Sequence, residues 1–224
     1  IAEELSRQTE TEGAGYDGYI FKVKDSMSRS KLMDRVYTVG EDTGIKSIDH
    51  AEGYYTAESL EQIEAFVNEN QIEFIEPDYI VTLDDAETQG VAGAVGEDAN
   101  REHLNLMSVP SAWAYGFTGA DLDTGFDMGG DGNYDDRVVI AVIDSGLSLN
   151  HEDIDYSRVL AGKNFVSQTS SSTVDTLGHG TFVTGQIIAA GGNGVGIAGI
   201  AQDAYVTPLK VFSSRETATS IIIN

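Results

Sequence analysis

Two short stretches, Val138–Gly146 (VVIAVIDSG) and Gly178–Gly185 (GHGTFVTG), constrain the fold more than any other part of the chain. The first is an apolar, mostly β-branched run that ends abruptly in polar residues. It predicts a strand buried on both faces of a parallel sheet, with Asp144 at its carboxyl end. The second places His179 between two glycines, at the start of a predicted helix. An acid at a strand's carboxyl end and a His that opens the next helix share one crevice of an open α/β sheet, so the pair is a candidate for general-base chemistry.

Composition excludes several classes of function. The formal net charge of −24 removes the basic footprint that ordinary nucleic-acid binding requires. No stretch approaches the ~20 apolar residues of a membrane span. The 224 residues contain no Cys, hence neither a disulfide framework nor a cysteine nucleophile. The acidic balance favours an extracellular or salty medium. The chain begins at Ile1 without Met, so a signal peptide is not present to be analysed.

The amino-terminal third has the pattern of a small α+β domain. Residues 1–16 are polar and predicted to be disordered. The strand and helix signals that follow have the order β-α-β-β-α-β, which predicts a ferredoxin-like unit that by itself names no function. The predicted strands are Gly18–Lys24, Ile45–Ile48, Gly53–Thr56 and Gln71–Ile75; the predicted helices are Ser26–Val36 and a helix capped by Thr56 that runs to about Asn70. Tyr79–Leu83 is predicted to be an extended tail.

The remainder of the chain follows a linker. Asp84–Arg101 is small and acidic, which indicates a domain boundary. Beyond it, Leu104–Tyr115 predicts a short docked helix with Pro110 in its first turn and Trp113 buried. Strand signals at Val138–Ile143 and Ala204–Phe212 flank the His179 helix, so βαβ alternation predicts a doubly wound parallel sheet. The predicted organisation is 1–16 disordered, 17–84 first domain, 85–102 linker and 103–224 second domain.

These residues resemble a known family. Asp144-Ser145-Gly146 after VVIAVI is similar to the aspartate motif of subtilisin-like serine proteases (subtilases, peptidase family S8), and Gly178–Gly185 is similar to their histidine motif. The stretch Gly194–Ala201 resembles the loop and strand entry that follow. Gly18–Leu83 resembles the family's inhibitory propeptide (inhibitor type I9), including the stretch Ile75–Asp78 near its end. The resemblance covers nearly all of residues 18–224.

The resemblance implies an Asp-His-Ser catalytic set. Asp144 would accept the Nδ1–H of His179, and His179 would take the proton from the serine and return it to the leaving amine. The family's Gly-Thr-Ser segment and its oxyanion-hole asparagine have no match in residues 1–224. The chain is therefore expected to hold the propeptide and roughly the first third of the catalytic domain, and to be inactive alone.

The resemblance also implies partners and a location. The substrates would be peptides and proteins, and the protein would be a zymogen whose own propeptide tail, Tyr79–Leu83, lies in the active-site cleft. Maturation would cut between Leu83 and Arg101, and Ser213–Ser220 (SSRETATS) would border the cleft. Secretion by a bacterial-type route is expected, with neither nucleic acid nor membrane as a partner.

A structural Ca²⁺ site is the second expectation from the resemblance. Asp153 matches a carboxylate ligand of the family's calcium loop, Asn193 matches a side-chain ligand, and the carbonyls of Val195 and Ile197 would complete part of the shell. The alternative is a Gly-rich turn without an ion. The alternating acids of the insertion Asp121–Asp136 suggest a second calcium loop, and a solvated acidic loop is the favoured alternative. An EF-hand is excluded because Val142 stands where that motif needs Glu.

Two other hypotheses remain open at the level of sequence. One is a non-catalytic protein, either a pseudoprotease or a propeptide-type inhibitor and folding chaperone. The other is an unrelated α/β binding protein, which predicts that Asp144 and His179 lie too far apart to form a hydrogen bond.

Overall fold

The computed structural model describes residues 15–24, 32, 43–48, 53–83, 102–120, 138–167 and 169–224. The chain divides into two compact units: Ile1–Leu83 with Glu216–Asn224, and Asp84–Arg215. The predicted disordered segment up to residue 14, the predicted linker at 85–101, the acidic insertion and most of the helix predicted at Ser26–Val36 lie outside the described residues. Leu32, from that predicted helix, is helical and buried.

The first unit contains an antiparallel sheet in the order β2-β3-β1-β4-β8. Its strands are β1 (Tyr16–Val23), β2 (Lys46–Ser47), β3 (Tyr54–Ala57), β4 (Ile72–Thr82) and β8 (Glu216–Ala218). The four strands predicted for this part of the chain are thus present, and the first three differ from the prediction by only one or two residues at their ends.

A helix within the described residues 53–83 packs on this sheet. Helix α1 (Leu60–Phe66) is capped by Ser59, which forms a capping box with Gln62, so the prediction of a Thr56 cap was wrong. The reason is that Thr56 belongs to β3, where it pairs with Ile20. The predicted inward face is confirmed, because Ile63 and Val67 are buried in a core with the stacked rings of Phe21 and Tyr55 and other apolar side chains; the remaining members are Val23, Leu32, Ile45, Ala57 and Ile72.

Strand β4 is much longer than the five residues predicted for it. It continues through Pro77 into the segment predicted to be an extended tail. At this end it pairs with β8, so that Ile80 faces Ala218 and Thr82 faces Glu216. After β8, helix α5 (Thr219–Ile222) begins, and buried Asp78 accepts hydrogen bonds from Ser220 N at 2.9 Å and Ser220 Oγ at 2.6 Å.

The second unit begins with two helices where one was predicted. These are α2 (Glu102–Leu106) and α3 (Val109–Ala114), with Pro110 in the first turn of α3 as expected. Ser108 separates them because its φ of 59° is left-handed and cannot continue a helix. Trp113 is half-buried against Leu104, Val109 and Ala198, and its indole N–H donates to the Ile200 carbonyl at 2.9 Å.

A parallel sheet in the order β5-β7-β6 forms the centre of this unit. Its strands are β5 (Val139–Asp144), β6 (Lys163–Asn164) and β7 (Tyr205–Lys210), and helix α4 (His179–Ile188) packs on it. The parallel pairing confirms the strand direction expected from βαβ alternation.

The prediction that β5 is buried on both faces was wrong. Val142 is 5% exposed and packs in the core beneath α4, whereas Val139 and Ile143 are 54% and 52% exposed. The alternation arises because the described residues cover one face of this sheet. Across the described ranges, none of the helices has the length and hydropathy to span a membrane.

Candidate active site

Asp144 is the last residue of β5 and lies against the end of β7. Its backbone carbonyl accepts from Val211 N at 2.8 Å, which fixes the strand end. Its carboxylate is 8% exposed and accepts a hydrogen bond from Ser145 N at 2.6 Å. The acid is therefore held at the carboxyl edge of the sheet, as predicted.

His179 is the first residue of helix α4, and it faces this carboxylate. Its Nδ1 lies 2.9 Å from Oδ1 and 2.8 Å from Oδ2 of Asp144. An ionised carboxylate can only accept, so Nδ1 carries the proton and Nε2 keeps a free lone pair. The imidazole can then act as a base through Nε2. This hydrogen-bond distance contradicts the hypothesis of an unrelated α/β binding protein, which expected Asp144 and His179 to lie too far apart.

Asp175 is the residue that sequence analysis missed. It accepts five hydrogen bonds, from Ser145 Oγ, Leu177 N, Gly178 N and both the N–H and the hydroxyl of Thr181. Burial opposes its ionisation, but the hydrogen bonds from Thr181, Leu177 and Gly178 outweigh burial and hold the pKa of Asp175 below its usual value. Its position four residues before His179 was the available signal.

Ser145 connects the turn after β5 with Asp175 and with the start of helix α4. It is fully buried; its Oγ donates to Asp175 Oδ1 at 2.9 Å and accepts from Gly180 N at 2.8 Å. A Cβ at Gly180 would lie 2.2 Å from the Gly146 carbonyl oxygen, so helix α4 approaches the turn after β5 at backbone contact distance.

A buried cation lies beneath the same turn. Lys210, the last residue of β7, donates from Nζ to the carbonyls of Ser145 and Val174, at 2.5 and 2.9 Å. Burial lowers the pKa of Lys210, and the nearby Asp175 carboxylate opposes that shift. The Lys210 ammonium therefore fastens the turn carrying Asp144 to the loop that leads to His179.

The residues expected to bind calcium come from two segments that are in contact: Asp153 lies in a turn before helix α4, and Asn193, Val195 and Ile197 lie in the loop after it. Asp153 is 3% exposed, and its carboxylate accepts from Asn193 Nδ2 at 3.0 Å and from Ile197 N at 2.8 Å. Asn193 Oδ1 accepts from Val195 N at 2.8 Å. One carboxylate, one amide and two backbone carbonyls are hard-oxygen donors, which suits Ca²⁺. Among the described residues, no cluster of three or more His, Cys, Asp or Glu side chains could hold a metal ion.

Comparisons with known proteins agree with this geometry. The sequence profile of the subtilase family matches residues 135–224, which include Asp144 and His179. The chain is 38% identical over 118 residues to the minor extracellular protease Epr of Bacillus subtilis, a match that covers 52% of this chain and 15% of that protein. It is 31% identical over 122 residues to subtilisin E of the same organism, covering 54% of this chain and 27% of that protein.

A solved structure, a protease from Pseudoalteromonas arctica, aligns with a TM-score of 0.41 and 25% identity over 56% of this chain and 40% of the other. The chain thus spans well under two thirds of the relatives it matches. On the family profile and the subtilisin relatives, residues 135–224 belong to the subtilase family of serine proteases.

Proposed function

We propose that the chain is the amino-terminal part of a secreted subtilisin-like serine endopeptidase precursor that hydrolyses peptide bonds. The observation that carries this proposal is the contact of 2.8 Å between His179 Nδ1 and Asp144 Oδ2, inside the segment that matches the subtilase family. The relative Epr is named as an extracellular protease, which supports secretion.

The proposed chemistry uses the two residues in different roles. Asp144 holds His179 in the tautomer with a free Nε2 and stabilises the imidazolium that forms during attack. His179 removes the proton of a serine hydroxyl and returns it to the leaving amine. Residues 1–224 contain no Gly-Thr-Ser segment, so we propose that the nucleophile and the oxyanion-hole asparagine come from sequence outside them.

Residues 17–84, which make up most of the described part of the first unit, are proposed to be the inhibitory propeptide with a ferredoxin-like fold. Support comes from its four antiparallel strands in the order β2-β3-β1-β4 with a helix before β4. The end of β4 pairs with β8, which lies in the segment that the family resemblance implies at the cleft border. Pairing of this kind is how an extended peptide binds at a sheet edge, so the tail would inhibit as a bound, product-like strand.

The residues after the propeptide would form the maturation region and the catalytic domain. Residues 103–224 would be the first part of a doubly wound catalytic domain. The region 85–102 would contain the bond that is cut during maturation. Asp153, Asn193, Val195 and Ile197 would hold a structural Ca²⁺, which would cross-link the loop after α4 to the segment that precedes it.

Peptide hydrolysis by a longer gene product that includes the serine segment tests the catalytic proposal. Asp144→Asn should lower kcat by roughly 10⁴-fold, the loss that this substitution causes in another Asp-His-Ser protease. His179→Ala should also abolish most of the activity. Asp203→Asn, at an exposed acid, and His151→Ala are matched controls that should leave hydrolysis unchanged. Equal activity in all four variants would contradict the proposal.

The same hydrolysis assay distinguishes the proposed protease from a non-catalytic protein. A pseudoprotease, or an inhibitor and folding chaperone, would show no hydrolysis in the unsubstituted protein. Such a protein would instead inhibit an added subtilisin, or speed its refolding, independently of Asp144 and His179.

A further inference from the structure

We propose that Asp175 is a positioning residue for the Asp144–His179 pair and that it acts through Ser145. The inference rests on the proposed function only in treating this pair as the acid–base couple; its geometry belongs to the second unit alone. The hydrogen bonds of Asp175 in the described part of the chain go to Ser145, Leu177, Gly178 and Thr181 and not to the His179 ring, so its effect must pass through the residues it binds.

The first step is that Asp175 anchors the chain on both sides of His179. One oxygen, Oδ1, accepts from Leu177 N and Gly178 N, each at 2.9 Å. The other, Oδ2, accepts from Thr181 N at 2.9 Å and from its hydroxyl at 2.6 Å. His179 therefore lies between two anchored segments, which limits the movement of its backbone relative to the carboxylate.

The second step is that Ser145 connects this anchor to Asp144. Ser145 Oγ donates to Asp175 Oδ1, while Ser145 N donates to Asp144 Oδ1. The same Oγ accepts from Gly180 N, one residue beyond the histidine. The buried hydroxyl of Ser145 thus contacts both Asp175 and the start of helix α4. The backbone N–H of Ser145 at the same time donates to the Asp144 carboxylate.

The third step concerns charge. Asp175 must be ionised to accept five hydrogen bonds. If one of its oxygens were protonated, the resulting O–H would face N–H and O–H groups that also need an acceptor. The Lys210 ammonium favours that state and holds Ser145 from the opposite side through its carbonyl. An amide at position 175 keeps the size of the side chain but replaces one acceptor oxygen by a donor, so it removes contacts that anchor the chain around His179.

Proton NMR of the 224-residue chain tests the inference without relying on catalysis. A short hydrogen bond to a carboxylate moves the Nδ1 proton of His179 downfield, and Asp144→Asn identifies that resonance by removing it. We expect the resonance to be present in the unsubstituted chain and lost or moved upfield in both Asp175→Asn and Ser145→Ala. The matched controls Asp203→Asn, at a half-exposed acid, and Ser157→Ala, at an exposed serine, should leave it in place.

Thermal unfolding of the same samples separates positioning from stability. An unchanged resonance in Asp175→Asn and Ser145→Ala, together with a lower Tm, would overturn the inference and leave the proposed function intact. A lost resonance in variants that stay folded by amide dispersion supports it. Failure of the unsubstituted chain to show the resonance would instead contradict the Asp144–His179 pair, and with it both proposals.

Discussion

Gly180 approaches Gly146 so closely that a Cβ on Gly180 would lie 2.2 Å from the Gly146 carbonyl oxygen. Gly180→Ala should therefore push the start of α4 away from the turn that carries Asp144. Overpacking of this kind costs about 1–3 kcal/mol, which a urea titration of the chain measures.

The same helix offers a matched control. A Cβ at Gly185 would meet nothing within 4 Å, so Gly185→Ala should stabilise the chain by up to about 1 kcal/mol through helix propensity. Equal stabilities for the two alanine variants would show that the contact at Gly180 is not tight.

Asp175 gives the chain a pH-dependent contribution to stability. Its pKa in the folded protein lies below the usual 3.8, so ionised Asp175 stabilises the fold above pH 3.8, and this contribution is lost as the pH falls through the lower folded value. The free energy of unfolding of Asp175→Asn should accordingly fall less between pH 5 and pH 3 than that of the unsubstituted chain. An identical slope in Asp175→Asn and in the unsubstituted chain would argue against the shift.

Asp78 should matter more to the first unit than its position near the end of a strand suggests. Asp78→Ala removes both acceptors of Ser220 and leaves its backbone N–H without the carboxylate, at a cost of about 1–3 kcal/mol. The exposed Asp17, on β1 of the same unit, provides the comparison, since Asp17→Ala should change stability by about 0.5 kcal/mol or less. Calorimetric unfolding measures both, and similar values for the two would contradict a stabilising role of the Asp78–Ser220 contact.

Calcium should raise the stability of the chain if the loop at Asp153 binds it. A ligand at 100 times its Kd adds about 2.7 kcal/mol to the free energy of unfolding, visible as a higher Tm that EDTA reverses. Asp153→Asn should abolish the response, while Asp155→Asn, at a half-exposed acid two residues later, should retain it. An equal response in both variants would place the ion elsewhere.

Much of the site could be predicted from sequence because it depends on local patterns. The end of β5, the start of α4 and therefore the approach of Asp144 to His179 follow from an apolar run and a glycine-flanked histidine. Asp175 could not be found in this way, since an acid in a polar loop has no period, and its role depends on Ser145, 30 residues away. The exposure of Val139 and Ile143 was missed for a related reason: an apolar run does not say which face neighbouring elements cover.

In the first unit, too, strand pairing determined features that local sequence patterns did not predict. Ser59 rather than Thr56 begins helix α1 because β3 extends far enough to include Thr56 in its pairing. Strand β8 was not predicted because three residues, Glu216–Ala218, form it only by pairing with a distant edge.

That pairing has a consequence for the order in which the chain can fold. Ile80 and Ala218 are 138 positions apart, whereas β1, β3 and β4 pair within about sixty. At roughly 5–20 residues per second, a ribosome needs on the order of ten seconds to make the intervening chain. During that interval the edge of β4 is an open template, on which another copy of the chain or a stray strand can add. The rate of synthesis thus competes with aggregation at a single strand edge.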